Sequence, residues 1–151
     1  MTRPGFEWDI PAGMEKPVIA SWRAFYAKAH ASYGVTPAQY RAIYLSQLGR
    51  CYGCWDKRGI HPDDPKGRGA RRLSIDHNHA LGGRIEAVRG LLCGVGDLSC
   101  NRILGAVRDR PEALERLAHH LRTAPAQAAL RSLAMGDTDE AIQGMAYRIL
   151  T

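Results

Sequence analysis

Apolar and aromatic side chains first fall into register after Pro17, where Val18, Ile19, Trp22, Phe25, Tyr26, Ala29 and Tyr33 recur at helical spacing before Gly34. The pattern predicts an amphipathic helix closed by a glycine stop, with an aromatic face better suited to a core than to base stacking. Thr36-Pro37 reads as a capping hydroxyl followed by proline at the first helical position. Tyr40, Ile43, Tyr44 and Leu48 then form the stripe of a second helix, which ends at Gly49 and delivers the chain to Cys51.

From Trp55 to Arg72 the periodicity is lost among Pro, Gly, Asp, Lys and Arg, which predicts an exposed loop. Leu73 to Asp76 and Val88 to Leu92 are short strand-like runs, with Gly82-Gly83 after the first, so an antiparallel hairpin with an irregular connection is expected. A short helix follows from Asn101 to Val107. Pro111 opens a clearer one, with Leu114, Leu117, Ala118 and Leu121 on one face and Glu112 and Glu115 in its positive first turn. Two weaker helices are expected at about 125–135 and 139–150. The expected fold is therefore α+β and mainly helical, with two N-terminal helices, a small strand–strand–helix core and C-terminal helices. Residues 1–16 read as a tail or surface arm, 17–122 as the main domain and 123–151 as a helical segment.

A length of 151 residues suits one domain with a real core, and the apolar fraction of 45% argues against wholesale disorder. A net charge of +6 makes a polyanion a candidate partner, and no Asp or Glu occurs between Glu15 and Asp56. The N-terminus has no apolar stretch of signal-peptide length, and no run reaches the roughly 18 apolar residues of a membrane span. A soluble cytoplasmic chain is the expectation. In that compartment four cysteines point to metal ligation before disulfides.

Cys51 and Cys54 have the spacing of a zinc knuckle, and Cys93 and Cys100 complete a four-cysteine set suited to a structural zinc. The second pair is separated by six residues, GVGDLS, whose glycines allow a bulge; failing that, His61 is an alternative ligand. Between the two pairs lies Asp76-His77-Asn78-His79, at the end of the first strand. There Asp76 can bind Mg²⁺ through oxygen, His77 can accept a proton from water, and Asn101 can add an amide oxygen from the helix. Lys66, Arg68, Arg71 and Arg72 precede this cluster, and Arg68, Arg71, Arg72 and Arg89 are the candidate contacts to a DNA backbone.

The blocks YGVTPAQY, CYGC, SIDHNHA, VRGLLC and CNRILG, over about residues 33 to 107, resemble the recombination endonuclease VII family of the wider ββα-metal (His-Asn-His) nucleases. The link GGRIEAVRG is longer than is usual there, and the second cysteine pair wider. The resemblance implies structural zinc on Cys51, Cys54, Cys93 and Cys100, and a catalytic divalent ion, Mg²⁺ or Mn²⁺, on Asp76 and Asn101. It implies His77 as general base, with His79 assisting at the scissile phosphate. It also implies branched DNA such as Holliday junctions as substrate, a possible homodimer, and a phage origin, hence the host cytoplasm. The competing expectations are a zinc-stabilised DNA-binding module without catalysis, and an assembly protein whose helices bind a partner chain.

Overall fold

The computed structural model describes residues 5–67, 72–94 and 99–145. They are α+β and about half helical, with a two-stranded sheet. The chain divides into two compact units, 1–106 and 107–151.

In the first unit, helix α1 spans Lys16–Tyr33 and closes on Gly34, whose φ of 69° is the left-handed conformation that glycine adopts without a Cβ penalty. Val18, Trp22, Tyr26 and Ala29 are its buried stripe. Helix α2, Pro37–Ser46, starts on a reciprocal capping box: Thr36 Oγ1 accepts from the Gln39 N–H, and Gln39 Oε1 accepts from the Thr36 N–H. The two helices meet through aromatic rings, with Trp22 edge-on to Tyr40 at 5.8 Å and Phe25 edge-on to Tyr40 at 5.0 Å. Trp22, Tyr26 and Tyr40 are buried, so the aromatic face is core, as its spacing predicts. Truncating such a ring costs about 3–5 kcal/mol. The segment before α1 lies across this cluster, with Trp8 edge-on to Tyr26 at 5.2 Å.

Two tyrosines carry the helical frame to the rest of the unit. Tyr40 donates its hydroxyl proton to the carbonyl of Leu73, and Tyr44 donates to that of Gly59, both at 3.0 Å. Burial pushes the Tyr40 phenol above its ordinary range, so it remains a donor.

The strands are β1, Ser74–His77, and β2, Val88–Leu92, paired antiparallel. The first lies one residue later than the apolar run suggests and so includes His77. Their connection is irregular as expected, with short 3₁₀ turns at His79–Leu81 and Ile85–Ala87. Helix α3, Cys100–Ala106, begins at Cys100 rather than Asn101, because the buried Ser99 hydroxyl accepts from the Arg102 N–H and caps it.

The second unit holds α4 (Pro111–Thr123), α5 (Ala126–Ala134) and α6 (Asp139–Gly144). Helix α6 is capped by Thr138 Oγ1, which accepts from the Ala141 N–H. Helix α6 ends at Gly144, and positions 146–150 of the helix expected there lie outside the described residues.

Candidate active site and metal centre

The end of α2 and the knuckle after it set the position of β2. Cys51 donates its N–H to Lys57 O at 2.8 Å, closing the CYGC turn, and Tyr52 donates to Leu91 O at 3.1 Å, fastening that turn to the strand. Strand β2 then runs directly into Cys93. Asn101 N donates to Cys93 O at 3.3 Å, which holds the start of α3 beside the strand's end.

These links bring Cys51, Cys54, Cys93 and Cys100 together, with all four sulfurs within 4.8 Å of one another. Four sulfurs at tetrahedral zinc, with Zn–S bonds of about 2.3 Å, lie about 3.8 Å apart, so donor type and spacing both fit that ion. The six-residue gap does not keep Cys100 away, although most of the loop, 95–98, lies outside the described residues. His61, the alternative ligand, is not part of the group. Its ring packs edge-on to Tyr44 at 5.1 Å, and its Nδ1 accepts from the Asp63 N–H.

Gly53 is required by space: a Cβ there would come within 2.9 Å of both Cβ and Sγ of Cys100. The left-handed residue of the knuckle is Trp55, with φ of 61°. Among the sulfurs, burial opposes ionisation of Cys51, but N–H groups from Cys93, Cys54 and Gly53 outweigh it and bring its pKa down to about 7. Burial and the neighbouring sulfurs push Cys100 up to about 12, and burial also raises Cys93.

The Asp-His cluster sits where the sheet is irregular. Asp76 pairs with Gly90 and His77 with Val88, so Arg89 is the extra residue of a β-bulge. Asp76 is buried, with a side chain 10% exposed, and both its oxygens are engaged by Arg89: Nε donates to Oδ2 at 2.7 Å and Nη2 to Oδ1 at 2.9 Å. His77 is half-buried between Tyr33, at a ring distance of 4.6 Å, and His79, at 4.5 Å. Asn78 spends its side chain on the turn, accepting from the Ala80 N–H, while its own N–H donates to Ala87 O. His77 and His79 therefore share one patch, with Asn78 as the fastening between them.

Of the candidate DNA contacts, Arg68 and Arg71 lie outside the described residues. Arg72 is half-buried on the aromatic core, its guanidinium 4.2 Å from the Trp22 ring centre and its Nη2 donating to Ser21 Oγ. Arg89 holds Asp76. Sequence reasoning missed Tyr33, Gln47 and Ser99; only the Ser99 position, just before a helical run, carries a recognisable cap signal.

The described residues thus combine a four-cysteine group that could hold a structural zinc with a bulged hairpin that carries Asp76 and His77. The chain belongs to the recombination endonuclease VII family, whose model matches residues 26–123. It is 43% identical over 97 residues to the Gene 59 protein of Mycobacterium phage D29, a match covering 64% of this chain and 48% of that protein. It is 39% identical over 97 residues to the Gene 59 protein of Mycobacterium phage L5, covering 64% and 49%. The chain thus spans about half the length of these curated relatives. No solved structure matches it.

Proposed function

We propose that this protein is a metal-dependent DNA endonuclease that hydrolyses phosphodiester bonds, acting on branched DNA such as Holliday junctions. The observation that carries the reading is a bulged strand on which a buried Asp76 is followed directly by His77, in a chain of the endonuclease VII family. The ββα-metal arrangement assigned to it has β1, β2 and α3 as its elements.

A structural zinc on the four cysteines would fix β2 and the start of α3, taking no part in the chemistry. Asp76 and Asn101 would hold a divalent ion, Mg²⁺ or Mn²⁺. Asp76 fits that role as a buried carboxylate that already carries a cation, the guanidinium of Arg89. Such an ion supplies positive charge against the developing charge of the phosphate and the leaving oxygen.

His77 accepts the proton of the attacking water as general base. Its packing against Tyr33 limits the ring's freedom, and His79 assists at the phosphate. Arg68, Arg71, Arg72 and Arg89 are the proposed DNA contacts, and a homodimer is the arrangement able to cut two strands.

Cleavage assays on His77→Ala and Asp76→Ala test the assignment. Each variant is expected to lose at least about a hundredfold in rate, with zinc content and helical circular dichroism unchanged. Wild-type rates in both would remove these residues from the mechanism.

A further inference from the structure

An ionised carboxylate buried as deeply as that of Asp76 requires a compensating cation. Arg89 supplies it and takes both oxygens at once, at 2.7 and 2.9 Å. The bulge creates this contact: Arg89 is the added residue opposite the Asp76–His77 step, turned back onto Asp76 rather than laid in the regular ladder. Its side chain is 37% exposed, whereas that of Asp76 is 10% exposed, so the guanidinium lies on the solvent side of the pair.

Asp76 is also the oxygen donor assigned above to the divalent ion. Two cations thus compete for one buried carboxylate. We propose that Arg89 is an exchangeable counter-cation, which neutralises Asp76 in the free protein and is released to a DNA phosphate when a divalent ion takes the carboxylate. This rests on the reading of Asp76 as a metal ligand.

The exchange follows from charge. A guanidinium and a divalent ion on one carboxylate place three positive charges against one negative, and repulsion favours departure of the group with solvent access. The planar fork that now spans two carboxylate oxygens matches two phosphate oxygens equally well. Metal binding therefore frees a phosphate ligand, and a phosphate in turn draws Arg89 off Asp76. By linkage each then raises the affinity for the other.

The test is Mn²⁺ binding to the full zinc-loaded chain, read by the spin-resonance signal of free Mn²⁺. In the absence of DNA, Arg89→Met is expected to bind Mn²⁺ roughly tenfold more tightly than wild type, because the competing charge-assisted pair is gone. Arg89→Lys, which reaches one oxygen as a point charge, is expected to fall between them and covers the case in which the methionine variant does not fold. In a His77→Ala background, added duplex DNA is expected to tighten Mn²⁺ binding more than it does in His77→Ala/Arg89→Met.

If Asp76→Asn abolishes Mn²⁺ binding yet neither Arg89 variant tightens it, the exchange is wrong and the metal assignment stands. If Asp76→Asn binds Mn²⁺ as wild type does, the metal assignment is wrong and the exchange falls with it.

Discussion

The side-chain amide of Gln47 pairs with the backbone of Leu91 as a neighbouring strand would: its Oε1 accepts from the Leu91 N–H and its Nε2 donates to the Leu91 carbonyl, both at 2.9 Å. Gln47 caps α2 and is buried, so one residue joins the helical frame to the strand that carries Arg89 and leads into Cys93. It also covers backbone groups that an edge strand would leave open.

Replacing Gln47 with leucine keeps the bulk and leaves the Leu91 N–H without its acceptor. A loss of about 2–3 kcal/mol in unfolding free energy is expected, read from denaturant melts of the zinc-loaded protein. A change under about 0.5 kcal/mol would show that the amide contacts contribute little.

Gly53→Ala introduces a methyl group 2.9 Å from Cys100 Sγ. The sulfur has to shift, so zinc affinity is expected to fall at least about tenfold in competition with a chromogenic chelator, the usual scale of loss when a ligand's support is disturbed. Undiminished affinity would mean that the knuckle opens without cost.

Zinc affinity is also expected to steepen in its pH dependence near neutrality. The ion takes thiolates, so every thiol still protonated must give up its proton on binding. Cys93 and Cys100 are raised and release protons throughout the range of pH 6 to 8. Cys51, brought down to about 7, is largely ionised above that pH and protonated below it. A plot of log affinity against pH should therefore gain about one proton in slope as pH falls through about 7. A constant slope across pH 6 to 8 would contradict the lowered Cys51.

Tyr33 ends α1 against the His77 ring. Tyr33→Ala is expected to lower the cleavage rate by about ten- to a hundredfold through misplacement of the base, with Tyr33→Phe close to wild type. Steady-state rates on a labelled junction decide it, and equal rates for Ala and Phe would remove any positioning role from Tyr33.

What was legible in the sequence was what short-range pattern controls. The aromatic stripe from Val18 to Tyr33 and the Thr36-Pro37 start define α1 and α2 because cap chemistry and helical period are local. The cysteines were readable by type and spacing, since Cys51 and Cys54 are separated by two residues as in a zinc knuckle and two further thiols complete the set. Their convergence across the wide Cys93–Cys100 gap is a tertiary fact, held by contacts such as Tyr52 N–H to Leu91 O. Gln47 could not be read at all: a polar residue at a helix end looks like surface until a strand 44 residues later needs a partner. The bulge was equally hidden, because VRGLL fits a regular strand as well as a bulged one, and only the register assigns Arg89 to Asp76.

The most direct measurement is cleavage of a labelled four-way junction and of a linear duplex of the same sequence, with Mg²⁺ or with EDTA, by wild type and His77→Ala. Metal-dependent cutting by wild type alone, favouring the junction, is the expected result. Binding of both DNAs by wild type with no cleavage of either in Mg²⁺ would contradict it and leave a zinc-stabilised DNA-binding module in its place.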